Sequence, residues 1–197
     1  MAADQFQQIL SSLLSTDNEV RQQAEDTYNN VPRDLKVTHL LATIHNGQQS
    51  EEARQMAAVL LRRLFTSEFL EFYKELPQEA QGQLLQQILL AVQQDVTPNL
   101  RRKICEVVAE AARNLIDDDG NNQWPDFCNF FSSALTRPQP TESIEAQDDQ
   151  SLVKLLIDMT ETCPKFLRPQ LEVIFEICMK VLALKTLKTV GVTWFSR

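Results

Sequence analysis

Hydrophobic positions recur along this chain at intervals of three and four, the spacing that gathers them on one side of an α-helix. Phe6, Ile9, Leu10, Leu13 and Leu14 make a first amphipathic helix that ends near "STDN", where Ser15, Thr16 or Asp17 can cap the next one. "NEVRQQAEDTYNN" forms a second helix and stops before Pro32. A third covers about 34–45, with Leu35, Leu40, Leu41 and Ile44 inward, and Gly47 suits its C-terminal cap. Ser50 then caps "EEARQMAAVLLRRLF", residues 51–65, whose Ala53, Met56, Ala57, Ala58, Leu60, Leu61, Leu64 and Phe65 cover an apolar arc of roughly 200°. After a short helical segment around "SEFLEFYKEL", Pro77 opens a helix to about Val96, and Thr97 with Pro98 starts another through "NLRRKICEVVAEAARNLI". "DDDGNN" is a turn; helix returns over 124–135, 149–162 and 169–184.

No segment alternates as a strand, so the pattern predicts an all-α chain. An internal repeat decides between bundle and solenoid. "VRQQA" at 20, "ARQMA" at 53 and "LRRKI" at 100 each follow a helix, a loop and a capping residue, at spacings of 33 and 47. Such spacing fits antiparallel helix pairs of the HEAT or armadillo kind. Arg21, Arg54 and Arg101 occupy the same helical angle at the edge of the apolar arc. A guanidinium buried there needs an acceptor, a carboxylate or carbonyl from the same or adjacent repeat, with Asp17 a candidate. These arginines read as architecture. Arg62 instead lies on the opposite wedge beside Gln55. With Arg63, and then Arg102, Lys103 and Arg113, it sits off the core arcs on second helices, which in a solenoid line the concave, partner-binding face.

Composition narrows the partners. The 197 residues carry 19 basic and 27 acidic side chains, a net charge of −8, which matches a phosphate backbone poorly and suits solubility or basic protein ligands. Cys105, Cys128, Cys163 and Cys178 are widely spaced without neighbouring histidine, and read as small buried residues of a reducing compartment. "MAADQFQQIL" lacks the plan of a leader and no apolar run approaches membrane-spanning length, so a cytosolic or nuclear protein is expected. His39 and His45, six apart, share no helix face and read as loop or surface histidines; no P-loop or GxSxG motif occurs. The acidic runs at Asp117–Asp119 and Asp148–Asp149 read as solvated loops and helix N-terminal charge. No enzyme activity, cofactor or metal is expected.

"EEARQMAAVLLRRL", "VTPNLRRKICEVVAEAARNLIDDDGNNQWPD" and "DDQSLVKLLIDMTETCPKFLRPQLE" closely resemble the amino-terminal region of the importin beta-3 type of nuclear import receptor, in the karyopherin-beta family. The resemblance covers residues 1 to about 183 in two blocks and implies a right-handed HEAT solenoid of about four helix pairs. It divides the chain into amino-terminal repeats over 1–135, a junction over 136–148, further HEAT helices over 149–184 and an atypical basic tail over 185–197. At the junction "TRPQPTESIEAQDDQS" joins blocks that roughly two repeats separate in the family, and Leu152 stands at the angle held elsewhere by arginine. The tail, with Trp194 and Phe195, departs from the family pattern, as a variant exon or rearranged gene copy would.

In the resembled receptors the first repeats receive the small GTPase Ran in its GTP form, which releases cargo. Carried over, the matching positions are Arg62, Arg63, Arg101, Arg102, Arg113 and Asn114, with Arg21, Arg54 and Trp124 structural. The resemblance further implies a monomer in cytoplasm and nucleus, with nuclear-localisation-signal cargo and nucleoporins as partners where enough surface remains, and neither nucleic acid nor membrane. The alternatives are a Ran-independent HEAT scaffold or competitor, and a nonfunctional truncated variant.

Overall fold

The structure is a computed structural model and describes residues 1–94, 96–116, 121–127 and 129–130. Its named helices are α1 (Ala3–Leu13), α2 (Asn18–Asn29), α3 (Arg33–His45), α4 (Glu51–Glu75), α5 (Gln78–Val92) and α6 (Pro98–Leu115). Helix begins again at 125–127. The expected junction over 136–148, the helices over 149–184 and the tail over 185–197 lie outside the described residues, as do Asp117–Asp119, Asp148, Asp149, Leu152, Trp194 and Phe195.

The helices pair as α1 with α2, α3 with α4 and α5 with α6, and consecutive pairs stack through α1 on α3, α3 on α5 and α4 on α6. This is the two-row stacking of an all-α solenoid. The second member of every pair opens on a side-chain cap, which satisfies backbone N–H groups that have no partner within the helix. Asp17, of the three candidates, accepts from Glu19 N and Val20 N; Ser50 accepts from Ala53 N, and Thr97 from Leu100 N ahead of Pro98. First helices α3 and α5 instead follow a proline.

Three expectations are corrected. Gly47 is not a left-handed cap: α3 ends at Asn46 in extended conformation, and Gly47 lies in the loop without a positive φ. The helix after Pro77 stops at Val92, short of Val96. Residues 51–65 and the segment after them form one helix of 25 residues, α4, roughly 37 Å long. No glycine, proline or cap interrupts it, and an aromatic ladder at four-residue spacing carries it onward. Phe65 meets Phe69 edge to face at 4.8 Å between centroids, and Phe69 stacks on Tyr73 at 5.2 Å.

The wide apolar arc of α4 has its cause here, because the helix is packed from two sides, by α3 and by α6. Ala57, Ala58, Leu61 and Phe65 are buried together with Leu40 and Ile44 of α3 and Leu100, Ile104 and Val108 of α6. Each fully buried large side chain contributes about 1.5–3 kcal/mol. Phe6 joins this core from α1, stacked on His39 at 4.9 Å, so His39 is a packed helix residue and not a surface or loop one. Cys105 is buried.

Candidate protein-binding site

Arg21, Arg54 and Arg101 each stand four residues after a cap, and each reaches back to a carbonyl near the end of the preceding helix. Arg21 Nη1 donates to Ser15 O at 2.8 Å, Arg54 Nε to Ile44 O at 2.9 Å, and Arg101 Nη2 to Gln94 O at 3.3 Å. Carbonyls at a helix C-terminus lack partners and carry the negative end of the dipole, so a cation there is doubly favoured. Asp17, the expected acceptor for Arg21, is occupied as the α2 cap.

Arg54 also anchors a polar chain between the second and third pairs. Its Nη2 donates to Gln94 Oε1 at 2.9 Å, which leaves the Gln94 amide nitrogen to donate to His45 Nδ1 at 2.6 Å. His45 Nε2 therefore holds the ring proton and donates to Gln87 O at 3.0 Å. Burial lowers the His45 pKa; the Gln87 hydrogen bond opposes this and the nearby Arg54 charge adds to it. The histidine is half-buried at a repeat junction, not on a loop or free surface.

The basic candidates separate into groups. Arg62 of α4 and Arg102 and Lys103 of α6 converge on one carboxylate, Glu106: Arg62 Nε lies 3.7 Å from Oε2, Arg102 Nε 3.6 Å from Oε1, and Lys103 Nζ 3.3 Å from Oε1. One turn along α6, Glu110 pairs with Arg113, and its carbonyl accepts from Asn114 Nδ2 at 2.8 Å. Arg102, Glu106, Glu110 and Asn114 thus form a single four-residue stripe. Arg63 is not part of this cluster. It is exposed, has no ion-pair partner among the described residues, and its charge acts on Tyr28 of α2. Burial pushes the Tyr28 hydroxyl up to about 12, against the opposing effect of Arg63. Arg101 turns toward the repeat interior.

Pairs as exposed as these are worth only about 0.2–1 kcal/mol each to stability. The cluster therefore adds little to the stability of the fold. Glu106 and Glu110 escaped the sequence reading, although Arg102 and Glu106 are four apart on one helix; the Arg62 to Glu106 contact needs the packing of α4 on α6.

Two further features border the site. A cleft of about 420 Å³ between the N-terminal ends of α4 and α6 is lined by Gln49, Glu51, Arg54, Val96, Thr97 and Leu100, with Glu51 Oε1 accepting from Gln55 Nε2 and Thr97 Oγ1. Past α6, Gln123 N donates to Leu115 O at 3.0 Å, and Asn122 Oδ1 accepts from Trp124 N at 2.7 Å. Trp124 is buried and stacks on Phe127 at 4.9 Å. Among the described residues no group of three or more His, Cys, Asp or Glu could hold a metal, and no helix is long and apolar enough to cross a membrane.

Paired helices, a row of second helices and backbone-capping arginines define a HEAT-type solenoid, and comparison with solved structures gives its kind. The chain is similar to Kap95p in the complex whose binding induces the switch loops of RanGDP to adopt the GTP-bound conformation, at 19% identity and a TM-score of 0.67, covering 84% of this chain and 20% of that one. It is similar to yeast importin-beta (Kap95p) alone at 20% identity and a TM-score of 0.66, over 82% of this chain and 19% of that chain. Kap121p bound to Pho4p matches at 19% and 0.61, over 84% and 15%. The chain therefore has the HEAT fold of importin-β-type receptors, and spans about a fifth or less of their length. In sequence, a family model described as "IPO5-like, TPR repeats" matches residues 96–142 and 139–177.

Proposed function

We propose that the chain is an amino-terminal region of an importin-β-type nuclear transport receptor of the IPO5-like kind, and that its second-helix face binds Ran in the GTP form. The observation that carries this reading is the convergence of Arg62, Arg102 and Lys103 from two adjacent repeats, on a fold shared with a Ran-bound receptor. Arg113 and Asn114 extend the face along α6, while Arg63 points toward Tyr28 of α2 and lies apart from it, and Arg101, drawn back to Gln94, supports it from behind. The function is non-catalytic: a partner docks, and in a full-length receptor its docking is coupled to cargo through the curvature of the array. Cargo and nucleoporins are further partners by analogy with Kap121p, whose structures hold Pho4p and Nup53p. Residence in both cytoplasm and nucleus follows from that role. The family model aligns in two segments that overlap within 136–148, where the junction is expected.

A pull-down with the whole chain immobilised tests this, using Ran loaded with GTP beside Ran loaded with GDP. Retention of the GTP form alone supports the receptor reading. Equal retention of both forms favours a Ran-independent scaffold, and absence of both removes the reading.

A further inference from the structure

The geometry points to Glu106 as a built-in placeholder for a partner carboxylate, a side chain that occupies the cation cluster until an acidic segment of the docking protein displaces it. The inference rests on the second-helix face being the docking surface. Three cations share the two oxygens of Glu106, at 3.3 to 3.7 Å. Charge-assisted N–H to carboxylate bonds shorten to about 2.7–2.9 Å when one donor has an oxygen to itself. None of the three reaches that range, and Arg62 Nε has no hydrogen-bond acceptor among the described residues. Glu106 is itself only 20% exposed beneath them, whereas Arg62 and Arg102 keep 43% and 57% of their side-chain surface open. The cluster is thus shaped by a carboxylate, holds more positive charge than that carboxylate neutralises, and still faces outward.

An Asp or Glu from a partner offers oxygens to the open ends of Arg62 and Arg102 and competes for them with Glu106 beneath. The placeholder lowers affinity for any acidic stranger and is overcome by a partner that makes additional contacts along the face, which is discrimination by an added repulsive element.

The test compares the full chain with E106Q and with E106Q/R62A/R102A, by anisotropy of a fluorescein-labelled hexaglutamate peptide at low ionic strength, after circular dichroism has shown equal helicity. E106Q is expected to bind the peptide about fivefold more tightly, the scale of one partly exposed ion pair, and the triple variant to lose the gain. Equal or weaker peptide binding by E106Q, or a gain that persists without the arginines, overturns the proposal. Titration of Ran loaded with GTP on the same proteins separates the two readings. Tighter peptide binding with no binding of Ran leaves the placeholder standing and removes the receptor reading. Ran binding that E106Q weakens shows Glu106 touching the partner directly, and overturns the placeholder.

Discussion

At the scale of single residues, the most informative side chains are charged ones near the core. Arg54 hydrogen-bonds Ile44 O and Gln94 Oε1, so Arg54→Ala leaves two acceptors without their donor and is expected to cost about 1–3 kcal/mol of stability, measured by chemical denaturation. If the variant instead loses partner binding at unchanged stability, the arginine belongs to the docking face. His45 gives a pH dependence of definite sign. Its folded pKa is lowered by burial, so the unfolded chain takes up the proton first as pH falls through the ordinary histidine range near 6.5. The histidine's contribution is therefore complete above that range and is lost below it, down to the folded pKa. Melting temperature should fall on acidification more steeply in the native chain than in His45→Gln. The arginine spacing was legible, because a cap followed four residues later by arginine is a local pattern. A carbonyl was among the acceptor types expected, but which residue supplies it was not legible, since Ile44 and Gln94 lie ten and forty residues from Arg54 and are backbone or amide groups with no signature.

At the scale of elements, periodicity and caps foretold most helices, and Asp17, Ser50 and Thr97 all cap as their residue types suggest. The length of α4 was the main surprise. An arc buried from two sides looks, in one dimension, like an amphipathic helix that loses its pattern near residue 66, whereas the aromatic spacing from Phe65 to Tyr73 maintains the helix. Phe69 is buried between its aromatic neighbours, and Phe69→Ala is expected to destabilise the array by about 3–5 kcal/mol with the cooperativity of melting retained. A loss under 1 kcal/mol would show that the second half of α4 is an appendage. Ser50→Ala removes a single cap bond and is expected to cost about 1 kcal/mol.

At the scale of the whole molecule, stacked pairs bring residues forty apart in sequence into one cluster. Arg62 and Arg102 were both marked as outward basic positions in the sequence, and their meeting across α4 and α6 turns two separate charges into one site. Arg63 and Arg101, marked in the same way, point elsewhere because adjacent positions on a helix differ by about 100° in direction. The chain covers about a fifth or less of the receptors whose fold it shares, so docking by this chain rests on its own repeats. Calorimetric titration of Ran loaded with GTP into the full chain and into R62E/R102E measures that most directly. The account predicts saturable binding to the native chain, weakened at least tenfold, about 1.4 kcal/mol, by the double charge reversal at unchanged helicity. Equal affinity for the two proteins would contradict it.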